Sequence, residues 1–213
     1  MQEGKSPTPE RIWQMITGFQ MTAAMKAAIE LGVFTKIADG KTSTSSIARA
    51  CGAAERGIRI LCDTLTVLGF LIKNGSEYSL ADDAAFFLVQ YSPAYMGNMT
   101  DFILSPQQKA GFDDLTAAVR NGGAVPQYNA SLDPESPMWA TFARSMTGMM
   151  MPSAQKMAAD LGYPKDAAIK VLDIAAGHGM FGITVAQHYP NAQIHALDWK
   201  VVLAVAQENA EKF

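Results

Sequence analysis

The spacing of apolar residues divides the chain into two regimes. Up to about residue 160 apolar positions recur every three or four residues, whereas from residue 168 onward short apolar runs alternate with helical spacing. In the first regime Ile12, Ile16, Phe19 and Ala23 form one stripe and Met15, Thr22, Met25 and Ile29 a second. This predicts a long helix from about Glu10 to Leu31, with Thr8 as N-cap and Pro9 at the first helical position, where its missing N–H costs nothing. A helix apolar on most sides requires cover on most sides. The small N-terminal region has little chain to supply it, so a second copy of the protein is the expected cover.

Further along, "TSTSSIARACG" reads as a hydroxyl-rich cap and a short helix ending at Gly52. "ERGIRILCDTLTVLG" keeps Ile58, Leu61, Leu65 and Leu68 at helical spacing and closes at Gly69. Two β-like runs around Asn74-Gly75 predict a hairpin. Two short helices and a hairpin make a winged-helix pattern. Residues 82 to 120 read as further helices, and "NGGAVPQYNASLDPESP" as a turn-rich connector. From Pro137 a helix places Trp139, Phe142, Met146 and Met149 or Met150 on one face, with Pro152 expected to kink it or to start a new helix.

The second regime reads strand, helix, strand, helix: "AIKVLDIAA", "MFGITVAQHY", "AQIHALD" and "VVLAVAQENAEKF". That order predicts the start of a parallel, doubly wound sheet. The expected fold class is a mostly α N-terminal winged-helix dimerisation domain plus the start of an α/β Rossmann-like domain. Such sheets need several strands buried on both faces, so the chain is expected to be incomplete as it stands.

Composition narrows the function. The 213 residues are 49% hydrophobic and 17% charged, enough for one or two packed domains, and the net charge of -3 provides no positive field to gather nucleic acid or an anionic membrane. The polar N-terminus lacks an apolar signal core, and no run approaches the ~18 apolar residues that span a bilayer, so a cytoplasmic protein is expected. Cys51 and Cys62 form no C-x-x-C pair and are expected as buried free thiols. His178, His188 and His195 form no ligand cluster, so no metal is expected.

The chemistry concentrates in "VLDIAAGHGMFG", where Gly177, Gly179 and Gly182 have the G-x-G-x-x-G spacing of a nucleotide loop. Glycines let the backbone turn and a ligand lie against it, without choosing the cofactor. Asp173, four residues earlier, does help to choose: at roughly 5 Å it interacts with another unit charge by about 3 kcal/mol at an effective dielectric near 20. That energy opposes the pyrophosphate of NAD and favours the sulfonium and ammonium of S-adenosyl-L-methionine. Asp198 ends the second strand, where a carboxylate accepts from ribose hydroxyls of either cofactor, and Trp199 offers a flat face for adenine. The plainer alternatives are that Asp173 caps a helix or pairs with Lys170 and that Asp198 is an ordinary strand-end carboxylate. His178, between two glycines, reads as a loop residue more than as a catalytic base.

"VLDIAAGHGMFG...YPNAQIHALDW" resembles the glycine motif and following acidic strand of class I S-adenosylmethionine-dependent methyltransferases. The whole order is similar to the dimeric small-molecule O-methyltransferases of the caffeate and hydroxyneurosporene type, in which a winged helix dimerises and a helical connector carries an F-x-x-x-M element. Phe142 and Met146 match that element. The resemblance implies that Asp173, Gly177 and Gly179 line the methionine part of the cofactor and that Asp198 holds the ribose. It implies an acceptor pocket at Phe142, Met146, Met149 and Met150, although methionines at this spacing also serve as plain core. The implied domains are 1–100 for dimerisation, 101–165 for the connector and 166–213 for the start of the cofactor domain. The implied partners are a small hydroxyl-bearing acceptor and a second copy of the chain, with neither nucleic acid nor membrane. The family's catalytic histidine has no counterpart before Phe213, so no catalytic residue is assigned. Lys200 departs from the proline of many members. Two other classes remain as alternatives, an NAD-dependent oxidoreductase and a winged-helix DNA-binding regulator. The second is weakened because Glu55 and Asp63 offset Arg56 and Arg59.

Overall fold

The computed structural model describes residues 7–123 and 133–213, which fall into two compact units, residues 1–92 and 93–213. None of the described helices is long and apolar enough to cross a membrane.

The first unit begins with helix α1 (Glu10–Glu30). Its N-cap is Pro9, already helical at φ -78° and ψ -1°, and no side chain caps it. The Thr8 cap expected from the sequence is displaced by one residue, because the proline ring itself holds φ in the helical range and the Pro9 carbonyl accepts the first helical bond, from the Trp13 N–H at 2.9 Å. The C-terminal half of α1 is anchored: Ala28 is fully buried, and Met25 and Ile29 pack on the core. The N-terminal half is bare, with Trp13, Met15 and Phe19 at 69%, 79% and 69% exposure.

Helices α2 (Val33–Ala38), α3 (Thr44–Cys51) and α4 (Glu55–Val67) follow. Ser43 caps α3 by accepting from the Ser46 N–H at 3.3 Å. Strands β1 (Leu71–Asn74) and β2 (Glu77–Leu80) pair antiparallel with Asn74 opposite Glu77, so Gly75 and Ser76 make the turn and Asn74 ends the strand. Helix α5 (Asp82–Phe87) completes the unit. Phe34, Ile47, Ile58, Leu65, Leu71 and Tyr78 are its buried centre. Hairpin and helix are joined polar-side by Asp63, whose Oδ1 accepts from Lys73 Nζ at 2.6 Å and from the Tyr78 hydroxyl at 2.7 Å, while Oδ2 accepts from Arg59 at 3.1 Å. Cys51 is half-buried and Cys62 buried, both as free thiols; burial pushes the Cys62 thiol up to about 12.

The second unit opens with three short helices, α6 (Met99–Ile103), α7 (Pro106–Asp113) and α8 (Leu115–Asn121). Most of the turn-rich stretch expected at 121–137 lies outside the described residues. Helix α9 (Pro137–Asp160) starts on a Ser136 cap and runs on through Pro152, so no new helix begins there. The proline removes the N–H that would have bonded the Gly148 carbonyl one turn back. The surrounding packing holds the helix together, since Met151, Ala154 and Ala158 are buried on either side of the ring.

Strand β3 (Lys170–Ile174), helix α10 (Met180–His188), strand β4 (Gln193–Leu197) and helix α11 (Lys200–Lys212) follow in the alternation read from the sequence. The strands pair in parallel, with Leu172 opposite His195 and Ile174 opposite Leu197. Side chains alternate across the pair. Val171 and Ile194 pack with Val185 of α10 and with Tyr189 just past its end, while Leu172, Ile174 and Leu197 stay exposed on the other face. Both α10 and α11 pack on α9, through Met151, Ala154 and Met180 and through Ala143, Val202 and Val205.

Candidate functional site

The site forms where β3 and β4 end side by side. Past Ile174 the chain turns through Ala175, Gly177 and Gly179, at φ 57°, 57° and 74°, and enters α10. Ala175 is the one non-glycine in the left-handed region among the described residues. An L-residue there costs on the order of 1 kcal/mol, which the surrounding bonds must hold in place. They do so closely. The Ala176 N–H donates to the Leu197 carbonyl at 3.2 Å and the Gly179 N–H to the Ala176 carbonyl at 2.8 Å. Asp198 takes the Gly177 N–H on Oδ2 at 2.8 Å and the Trp199 N–H on Oδ1 at 2.7 Å. Each oxygen keeps further acceptor capacity.

The glycines serve different ends. A β-carbon at Gly179 would lie 2.8 Å from the Ala206 β-carbon, and one at Gly182 would lie 2.6 Å from Ile194 Cγ2. Those two let α11 and β4 approach. At Gly177 the space is open except for the Ala175 carbonyl oxygen at 3.8 Å. Its absent side chain leaves room for a ligand.

A cavity of about 770 Å³ opens in front of this loop, lined by Gly177, His178, Asp198 and Trp199 on one side and by Trp139, Phe142, Met146 and Met150 of α9 on the other. Its walls are mostly apolar. Trp139 meets Trp199 edge-on at 5.1 Å between ring centres, and Phe142 meets Phe102 at 5.0 Å. Of the residues singled out in the sequence, the structure brings Gly177, Asp198, Trp199, Phe142, Met146 and Met150 around this one cavity. Met149 is not among its lining residues. Asp173 and Gly179 line a smaller cavity of about 330 Å³ between α10, β4 and α11. Asp173 Oδ2 is buried there without a hydrogen-bond partner, and a β-carbon at Gly182 would lie 3.4 Å from it. It is neither a helix cap nor paired with Lys170.

The sequence reading passed over Trp139 as a cavity wall, Ala175 as a strained corner and most of what His178 does. His178 is buried, stacks on Phe181, and accepts the Met180 N–H on Nδ1 at 3.1 Å, closing the start of α10. Burial lowers its pKa below the ordinary 6.5, and the nearby Asp173 charge partly offsets this. The folded protein therefore keeps this imidazole neutral while the unfolded chain takes up a proton near pH 6.5, so stability falls as pH drops through that value. Thermal midpoints should decline between pH 7 and 5.5. In His178→Asn, whose side-chain oxygen can accept the same Met180 N–H without titrating, the decline should be shallower.

Residues 13–90 match the model of the O-methyltransferase dimerisation domain. Over 203 residues, 94% of its length, the chain is 25% identical to the 3-hydroxy-5-methyl-1-naphthoate 3-O-methyltransferase of Streptomyces sahachiroi and covers 58% of it. Among solved structures, a candidate O-methyltransferase of Nostoc punctiforme is 46% identical, superposes with a TM-score of 0.84, and shares 98% of this chain and 62% of its own. Human N-acetylserotonin methyltransferase, solved in complex with SAM, shares the fold at 20% identity, with a TM-score of 0.75 over 98% of this chain and 64% of its own. The chain thus spans about three fifths of the length of these relatives. The protein is mostly helical, and its residues 13–90 are similar to an O-methyltransferase dimerisation domain. The chain is related, over nearly all of its length, to O-methyltransferases of small molecules.

Proposed function

We propose that the protein takes part in S-adenosylmethionine-dependent O-methylation of a small hydroxyl-bearing molecule. In this reading residues 1–100 are a winged-helix dimerisation domain, residues 101–165 are a connector that contributes to the acceptor pocket, and residues 166–213 are Rossmann-like strand–helix units that bind the cofactor. The observation that carries it is the pairing of two walls around one cavity: Gly177, Asp198 and Trp199 face Phe142, Met146 and Met150 across about 770 Å³.

The residues fit the cofactor. Asp198 has acceptor capacity left for ribose hydroxyls, Trp199 supplies an apolar ring for adenine, and the open space at Gly177 admits the chain of the methionine part. Asp173 and Gly179 line the smaller cavity and not this one: Gly179 lets the loop close on α11, and the unpaired Asp173 oxygen adds, from there, negative charge that favours a sulfonium over a pyrophosphate. When bound, S-adenosylmethionine supplies an electrophilic methyl group. The chain's own part is to hold the acceptor against Phe142, Met146 and Met150 and to keep water from it. Calorimetry tests the reading. S-adenosylhomocysteine should bind the protein and NAD should not; tight NAD binding with none for S-adenosylhomocysteine would falsify it.

A homodimer belongs to the same proposal, with the bare N-terminal half of α1 as its seam. Ile16 and Phe19 are 65% and 69% exposed, on a segment inside the matched dimerisation domain. Light scattering should find the wild-type protein at twice its chain mass, and the double variant Ile16→Asp, Phe19→Asp shifted to the monomer. A wild-type monomer would sink the dimer.

A further inference from the structure

Three elements meet at one side-chain amide. The Asn209 Nδ2 on α11 donates to the His178 carbonyl in the glycine loop at 2.7 Å and to Thr147 Oγ1 on α9 at 3.3 Å. The Thr147 hydroxyl donates its own proton to the Ala143 carbonyl at 3.2 Å, so toward Asn209 it is the acceptor. Other contacts join these elements only in pairs. Gly179 lies against Ala206, loop to α11, and Arg144 pairs with Glu208 at 2.7 Å, α9 to α11. A primary amide has two N–H groups fixed in one plane, and here they reach both neighbours of α11.

We propose that Asn209 is a positioning residue that sets the separation between the loop and the α9 wall of the cavity. The inference rests on the methyltransferase reading above. In that reading the loop holds the amino-acid end of the cofactor and α9 holds the acceptor. Methyl transfer is an in-line displacement, so the two must be fixed along one axis, and a displacement of about 1 Å between reacting groups costs on the order of 100-fold in rate. Asp198 does not perform this task, because it sits past the end of β4 and holds only the Gly177 and Trp199 N–H groups, and Trp199 reaches α9 only through the ring edge of Trp139, at the nucleoside end of the cavity.

Three variants separate positioning from general loosening. Asn209→Leu keeps the branching at Cγ and removes both bonds, Thr147→Val removes only the α9 arm, and Thr147→Ser keeps it. Each is titrated with S-adenosylhomocysteine and with adenosine, which lacks the amino-acid end. Backbone hydrogen exchange of the ligand-free proteins is followed at 175–181 and 144–150. For Asn209→Leu, S-adenosylhomocysteine should bind about 10-fold more weakly, on the order of what loss of its two modest hydrogen bonds predicts, with adenosine changed less than about 2-fold. Thr147→Val should weaken S-adenosylhomocysteine by about 3-fold and Thr147→Ser should restore it. Exchange should rise in both segments in Asn209→Leu. Equal weakening of both ligands, wild-type affinity in Asn209→Leu, or faster exchange in α11 alone would overturn the proposal. If the wild-type protein binds neither ligand, the methyltransferase reading fails, and the exchange data still decide the tie: a rise at both segments upholds it and a rise in α11 alone refutes it.

Discussion

Replacing Gly148 by alanine is expected to destabilise the second unit by about 3 kcal/mol, at the upper end of overpacking effects. Inside a helix the same change is ordinarily favourable by up to about 1 kcal/mol, because glycine has the most backbone freedom to lose. The sign reverses here because the Tyr95 backbone runs against α9: an added β-carbon would overlap the Tyr95 carbonyl oxygen and lie 2.9 Å from its carbonyl carbon. A side chain could swing aside; a carbonyl can move only with its chain. Thermal denaturation should find the midpoint lower by on the order of 10 °C. Gly111→Ala is the control, since α7 has nothing within 4 Å of a β-carbon at that position, and it should be neutral or slightly stabilising. If both variants melted like the wild type, the close approach of Tyr95 would be wrong. The disturbance would reach the site as well, because Gly148 lies between Met146 and Met150, two walls of the cavity.

For ligand binding the largest loss is expected at Asp198. Its carboxylate holds the Gly177 and Trp199 N–H groups at 2.8 and 2.7 Å and, in the proposed complex, the ribose as well. Asp198→Ala removes all of these acceptors, leaves two backbone donors to find water, and frees a loop that contains a strained Ala175. With charge-assisted bonds contributing about 1.5–3 kcal/mol each, affinity for S-adenosylhomocysteine should fall by 100-fold or more. Asp198→Asn keeps one acceptor oxygen and should fall in between. Calorimetry checks the order wild type, Asn, Ala. Equal affinity in all three would mean that the nucleoside lies elsewhere in the cavity.

The alternation of β3, α10, β4 and α11 was legible because the short apolar runs of parallel strands and the spacing of helices write different periods, and the observed boundaries fall within one or two residues of the expected ones. The hairpin was legible for a similar reason, though its turn sits one residue later than Asn74-Gly75. What the linear pattern could not carry was direction. Asp173 and Gly177 are four residues apart, yet the strand pleat turns the Asp173 side chain toward α10 and the smaller cavity while Gly177 fronts the larger. Met149 and Met150 fit the helical stripe equally well, and only packing separates them. Nor does any local signal announce Asn209, a polar residue near the end of an ordinary-looking helix whose partners lie 31 and 62 residues away. Gly148 carries the same lesson. Its spacing in α9 is unremarkable, and its necessity comes from a segment some fifty residues earlier.

The Asp63 cluster has a consequence for the hairpin. Binding to a nucleic acid gains its salt-dependent strength when free cations displace counterions from phosphates. The ammonium of Lys73 and the guanidinium of Arg59 already share one internal carboxylate, at 2.6 and 3.1 Å, with the Tyr78 hydroxyl completing its shell. A phosphate arriving at this surface would meet the two cations beside the Asp63 carboxylate, whose charge offsets theirs. The contact that ties the hairpin to α4 thus also offsets part of the positive charge that this motif presents outward.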